Sequence, residues 1–197
     1  MRLRWCRCLR LPVLLHANNQ VFQEAILNAY THRRYDSPAS IYVKHYTDKL
    51  VIESPGGFMA DITSDNIITH PSLPRNKLIA ETLQQLHYVQ RSGQGIDIMY
   101  REMVTMGKPY PEYTVYDDAI CLTLYSVLED EGFVKFITKT QDKLMKTFSL
   151  AELMILRYLF ENKTINHLIE KYMIKKQHHC CFLHTLHYSF LQLFEKV

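Results

Sequence analysis

Two strand pairs, each joined by very little chain, constrain the fold of this sequence more than any other feature. SIYVKHYT (40–47) and KLVIES (49–54) alternate apolar and polar side chains, as half-buried strands do, and Thr47-Asp48 between them permits a tight hairpin. EYTVYD (112–117) and AICLTLY (119–125) repeat the pattern. The chain before and between the pairs reads as helix. Val21, Phe22, Ala25, Ile26 and Ala29 form one apolar stripe. A short helix is expected from Thr63 to Thr69, ending near Pro71, and a second from Asn76 to about Leu86 with Leu78, Ile79, Leu83 and Leu86 on one side. Ile96, Met99, Met103 and Met106 recur at helical spacing after RSGQG. The order helix, two strands, two helices, helix, two strands predicts a compact α/β domain.

Composition is that of a globular protein: 197 residues, 47% hydrophobic and 22% charged, with only 6 Gly and 7 Pro. Charged or polar residues interrupt every apolar run before the roughly 18 residues a membrane span needs, so no membrane association and a cytoplasmic location are expected. MRLRWCRCLRLPVLLHA lacks a convincing cleavage site, and residues 1–18 read as a disordered basic extension rather than a leader. Five cysteines in no regular framework suit reduced thiols.

The net charge of +3 conceals a division along the chain. Residues 1–18 hold four Arg and no acid; residues 19–132 hold 9 basic and 15 acidic side chains, a balance of −6; residues 133–197 hold 10 basic and 5 acidic, a balance of +5. An acidic segment binds a nucleotide only if backbone amides and a metal ion supply positive potential, whereas a basic segment suits a polyanion such as DNA or a solvated helix face.

Residues 128–147 are expected to be a connector helix opened by LEDEG, and residues 148–197 a small helical module. Ser149 and Glu152 form a capping box, with Phe148 against Leu153 as its staple, so a helix begins near Leu150. Further helices over 164–173 and 177–194 fit a helix-turn-helix or winged-helix arrangement. Within HHCCFLHTLH, Cys180, His184 and His187 have the spacing of a helical zinc site, but no fourth ligand declares itself and packing explains the same residues better.

The chemistry concentrates on the first helix and on the glycines. Glu24 and Asn28, four residues apart, place a carboxylate and a carboxamide on one stripe beside the apolar face. Gly56-Gly57 follow a strand, and Gly93-Gln94-Gly95 open a helix, so both are places where bare N–H groups can approach an anion. Each alone is also an ordinary turn or helix entry. Their order, after a Glu-x-x-x-Asn helix, resembles the layout of a GHKL-type nucleotide site.

The strings EAILNAYTHRRY (24–35), KLVIESPGGF (49–58), LPRNKLIAETL (73–83) and RSGQGIDIM (91–99) resemble the ATP-binding C-terminal region of RecG-like and Schlafen/AlbA-type transcriptional regulators, over about residues 20–125. The resemblance implies a GHKL-like nucleotide-binding domain over 19–127, a two-layer sandwich of a mixed sheet with helices on one face, followed by the winged-helix-like module. It implies ATP and Mg²⁺ as cofactors, with Asn28 coordinating the metal that bridges the phosphates and Glu24 orienting or deprotonating the attacking water. Gly56, Gly57, Gly93 and Gly95 would line the pocket, and Arg75 and Asn76 would lie in the loop that closes over it. His32 and Arg33 stand as pocket-edge candidates. At two positions the sequence departs from the pattern: Ser54 occupies the place of the Asp that reads the adenine amino group in the wider class, and Arg34 replaces the acid of the usual His-Arg-Asp-Tyr string.

No Gly-x-x-x-x-Gly-Lys-Ser/Thr string occurs, which excludes a P-loop helicase motor. Two readings follow. In the favoured one, a nucleotide-binding regulatory module, with slow Mg²⁺-dependent hydrolysis, acts on an attached DNA-binding segment within residues 133–197. In the other, the same fold has lost its nucleotide and serves as a non-enzymatic DNA-binding or dimerisation protein, and a homodimer is compatible with either.

Overall fold

The computed structural model describes residues 19–89 and 94–162. Residues 1–18, Gly93, the expected helices at 164–173 and 177–194, and Cys180, His184 and His187 lie outside the described residues. The chain divides into two compact units, Met1–Leu153 and Met154–Val197.

Both strand pairs form, and they join into one sheet. Strands β1 (Tyr42–His45) and β2 (Lys49–Pro55) make the first hairpin, β3 (Glu112–Tyr116) and β4 (Ala119–Tyr125) the second. The order is β1-β2-β4-β3, with the two hairpins meeting where β2 pairs with β4. All three pairings are antiparallel, so the sheet is antiparallel rather than mixed. The reason is local: each hairpin fixes one antiparallel pair, and β2 and β4 run opposite ways.

Alternation decides which side of the sheet is covered. Leu50 and Ile52 on β2 and Leu122 and Leu124 on β4 are buried and share one face. Two helices cover that face: α1 (Asn19–His32), through Val21, Ala25 and Ala29 at fourfold spacing, and α3 (Gly95–Thr105), through Met99 and Met103. The result is a two-layer α/β sandwich with α1 and α3 side by side.

Helix α2 (Lys77–Gln85) also forms; none of its residues is fully buried, Ile79 and Leu83 are half-buried, and Leu78 is 77% exposed. The helix expected at Thr63–Thr69 is instead a run of turns. Asn66 explains the difference, because its Oδ1 accepts from the Thr63 amide at 2.7 Å and its Nδ2 donates to the Asp61 carbonyl at 2.8 Å. Such side-chain bonds offer the backbone an alternative to the helical ladder.

Helix α4 (Glu131–Leu144) starts at Asp130, whose Oδ1 accepts from the Phe133 amide at 2.8 Å, and it buries Phe133, Ile137 and Thr140. Its start is tied to the end of α3 at Gly107, whose carbonyl accepts from the Glu129 amide at 2.8 Å. Helix α5 (Leu150–Asn162) begins with the capping box intact: the Ser149 amide donates to Glu152 at 2.7 Å, and the Glu152 amide donates to Ser149 Oγ at 3.3 Å. Phe148 and Leu153 are both buried. No helix among the described residues is long and apolar enough to cross a membrane.

Candidate functional site

A cavity of about 580 Å³ lies within the first unit, on the helix-covered face of the sheet. Its floor includes Ile52 and Ser54 of β2, Ile120 and Leu122 of β4, and Tyr113 of β3. Helix α1 and the start of α3 supply further walls, together with the segment that follows Gly56.

Glu24 and Asn28 meet Gly95 here. A Cβ built on Gly95 would lie 2.6 Å from Glu24 Oε2, 3.3 Å from Asn28 Nδ2 and 3.6 Å from Asn28 Oδ1, so the start of α3 can approach the two side chains only because it bears none itself. Helical spacing presents both groups one above the other on α1. Glu24 is 4% exposed, and burial pushes its carboxyl above the ordinary carboxylate range. Asn28 Nδ2 is buried and has no hydrogen-bond partner among the described residues. The first-turn amides of α3, those of Gly95 and Ile96 among them, have no acceptor within the helix. A carboxylate, an unpartnered carboxamide and a helix N-terminus therefore converge on one wall of the cavity.

The other end of α1 is closed. Its last carbonyls would be orphaned, but the Asn76 amide donates to the Thr31 carbonyl at 3.1 Å. Asn76 Nδ2 donates to the carbonyls of Thr31 at 3.0 Å and Arg33 at 2.7 Å. Arg75 Nε donates to the His32 carbonyl at 3.0 Å and its Nη2 to the Gly57 carbonyl at 2.7 Å. Arg75 and Asn76 thus clip the loop before α2 to α1 and to the glycine turn, and neither lines the cavity. His32 does line it, and burial, then the Arg75 charge, lowers its pKa, leaving the imidazole neutral at pH 7. Arg33 turns away: its Nη2 donates to the Ala39 carbonyl at 2.7 Å, and its guanidinium stacks over Tyr35 at 4.8 Å.

The adjacent glycines have different reasons to be glycine. Gly56 has φ +107°, and a Cβ there would sit 3.0 Å from Arg34 Cβ, so the strand can end in this turn only without a side chain. Its amide donates to the Asp118 carbonyl at 2.6 Å, and the Arg34 guanidinium pairs with the Asp118 carboxylate. The base at position 34 therefore finds its acid on the β3–β4 turn. Gly57 has nothing within 4 Å of a built Cβ, and it faces the cavity. Ser54 is buried on the floor, where its Oγ donates to the Ala29 carbonyl at 3.0 Å and keeps its lone pairs for the cavity.

Among the lining residues not anticipated from sequence, two bear on what the cavity could hold. Lys77 is the only Lys or Arg among the described lining residues, against three acids, Glu24, Glu81 and Asp97. A polyphosphate bound here would therefore need a cation of its own. Tyr113 carries a buried hydroxyl without a partner among the described residues, with its ring against Phe58 at 6.2 Å between centroids. Lys77 could have been found as the charge flanking Asn76. Tyr113 gave no signal, since strand alternation makes it look like any core residue.

This geometry can be set against known proteins. Residues 39–124 match the family model described as "Putative ATP-dependent DNA helicase recG C-terminal". The matched span runs from just before β1 to the end of β4, and it supports an ATPase-like domain of the RecG C-terminal type. Glu24 and Asn28 lie upstream of it. Among solved structures, the DIP2311 protein from Corynebacterium diphtheriae is similar at 25% identity and a TM-score of 0.65, over 74% of this chain and 31% of that one. This chain thus spans about a third of the length of that neighbour. No curated protein matches the chain.

Proposed function

We propose that residues 19–127 bind Mg²⁺-ATP, with slow hydrolysis, as the regulatory module of a DNA-binding transcriptional regulator of the RecG-like, Schlafen/AlbA type. The observation that carries this reading is the convergence of Glu24 and the unpartnered Asn28 on Gly95 at the N-terminus of α3. A buried amide left without a partner costs stability, and it is retained where a ligand satisfies it. The ATPase-like match over residues 39–124 supports the nucleotide as that ligand.

The residues fit a metal that arrives with its nucleotide. Among the described residues no group of three or more His, Cys, Asp or Glu could hold an ion. Mg²⁺ commonly keeps waters and takes substrate phosphates with one or two protein oxygens, and Asn28, whose two amide ends exchange by rotation, offers one such oxygen. When bound, the ion would neutralise phosphate charge that Lys77 alone cannot. Glu24, its basicity raised by burial, would accept a proton from the attacking water, and the first amides of α3 would hold phosphate oxygens. Ser54 Oγ, with its proton committed to Ala29, would accept a hydrogen bond from the adenine amino group.

A titration with a fluorescent ATP analogue tests this. Binding should require Mg²⁺ and vanish in Asn28→Ala, while Glu24→Ala should bind but not hydrolyse. Unaltered binding in Asn28→Ala would remove the mechanism. DNA binding by the basic residues 133–197 should weaken steeply between low and physiological salt, and a flat response would count against it. No nucleotide binding with salt-dependent DNA binding retained would favour the non-enzymatic reading.

A further inference from the structure

We infer that Tyr113 is a ligand-binding residue, its hydroxyl donating a hydrogen bond to a ribose or phosphate oxygen of the nucleotide; this rests on the nucleotide reading above. Tyr113 Oη is buried, lacks a partner among the described residues, and belongs to a side chain lining the cavity. Only one other unpartnered buried side-chain atom among the described residues belongs to the cavity lining, Asn28 Nδ2. A phenol commonly finds a partner when buried, and leaving it without one costs stability. Phenylalanine would fill the same space without that cost.

Strand register says which part of a nucleotide this hydroxyl meets. Ser54 pairs with Ile120, and Tyr113 pairs with Leu122, which in turn pairs with Ile52. Ser54 and Tyr113 therefore stand two strands and one row apart on the same face, about 12 Å across the sheet, with an apolar floor of Ile52, Ile120 and Leu122 between them. That distance exceeds the span of a purine ring. With the base edge at Ser54, Tyr113 is left to the sugar–phosphate portion. Burial also holds the phenol proton on, so at neutral pH the group is a donor.

The test is Tyr113→Phe in the full chain, read by thermal melting without ligand and by titration with adenosine and with Mg²⁺-ATP. The melting temperature should rise while ATP affinity falls about fivefold to tenfold, opposite signs that a merely structural hydroxyl would not give. Weakening of adenosine and ATP alike assigns the contact to the ribose; weakening of ATP alone assigns it to a phosphate. A lower melting temperature, or ATP affinity unchanged within twofold while Asn28→Ala abolishes binding, overturns the inference and leaves the nucleotide reading standing. Wild-type protein that binds no nucleotide removes both.

Discussion

Helix α1 carries polar side chains into the interior at its middle and exposes polar backbone at its end, and the two regions are treated in opposite ways. At the end, the carbonyls of Thr31, His32 and Arg33 all accept hydrogen bonds, from Asn76 and Arg75. In the middle, Glu24 and Asn28 face a cavity, and Asn28 Nδ2 bonds to nothing described. Lack of a partner does not by itself separate the regions, since Arg33 Nε at the end of α1 is also buried without one among the described residues; what distinguishes Asn28 is that it also lines the cavity. Charge alone does not separate the two either, since the Arg75 side chain ties segments together while the neutral Asn28 amide faces the cavity.

The largest break in that comparison should come from Gly95→Ala. The new Cβ would meet the far ends of Glu24 and Asn28, both of which can move. The fold should tolerate this within about 1 kcal/mol, while Mg²⁺-ATP affinity falls by about 100-fold because the converging groups are pushed apart. Chemical denaturation and nucleotide titration on one preparation measure both. A large stability loss with binding retained would mean that the contact is packing and not a site.

Asn76→Ala is the converse case. It removes two bonds, to the Thr31 carbonyl of α1 at 3.0 Å and to the Arg33 carbonyl just past it at 2.7 Å, and each net bond contributes about 0.5–1.5 kcal/mol, so stability should fall by about 1–3 kcal/mol. Affinity for nucleotide should stay within about twofold, because Asn76 does not line the cavity. A loss of binding with stability intact would return Asn76 to the role that the family resemblance implies.

A smaller effect should appear with pH. Burial raises the Glu24 pKa in the folded state above its value of 4.5 in an unfolded chain. The protonated form is thus favoured by folding, so this stabilising contribution is complete below pH 4.5 and is lost as pH rises through the folded pKa. Glu24→Gln keeps the neutral shape at every pH. Without ligand, the variant should melt above wild type at pH 7, and the difference should shrink toward zero as pH falls to about 4.5. A difference independent of pH would show that the carboxyl does not titrate abnormally.

These expectations also mark what a reading of the sequence could reach. The strands were legible because period-two alternation and connections of two or three residues leave little choice. Glu24, Asn28 and Gly95 were legible as candidates because helical spacing and a glycine at a helix start are local facts, and the structure brings them together. The helix expected at 63–69 failed where the Asn66 side chain bonds to the Thr63 amide and the Asp61 carbonyl. Helix α2 was legible from its leucine spacing, but spacing does not say what covers that side: Ile79 and Leu83 are half-buried while Leu78 is exposed. Arg75 and Asn76 read as polar loop residues beside a pocket, and their partners on α1, the carbonyls of His32 and Thr31, lie more than forty positions away in the chain. The Tyr113 hydroxyl was invisible for a related reason: what distinguishes it is a missing partner, and only a three-dimensional arrangement has missing partners.

The smallest effect separates the two adjacent glycines. Gly57 lies outside the left-handed region of backbone φ and has open space where a Cβ would go, unlike Gly56 at φ +107° against Arg34. If Gly57 were only part of a turn, Gly57→Ala would be harmless or would stabilise by about 0.4–1 kcal/mol through the unfolded chain, with no other consequence. If the space in front of it belongs to a ligand, the same methyl stabilises the free protein and weakens nucleotide binding a few-fold, since it occupies volume that the nucleotide needs. Melting and titration of this one variant therefore decide whether the emptiness at Gly57 is surface or site. Binding unchanged alongside a higher melting temperature would move the ligand's edge away from the turn and toward Gly95.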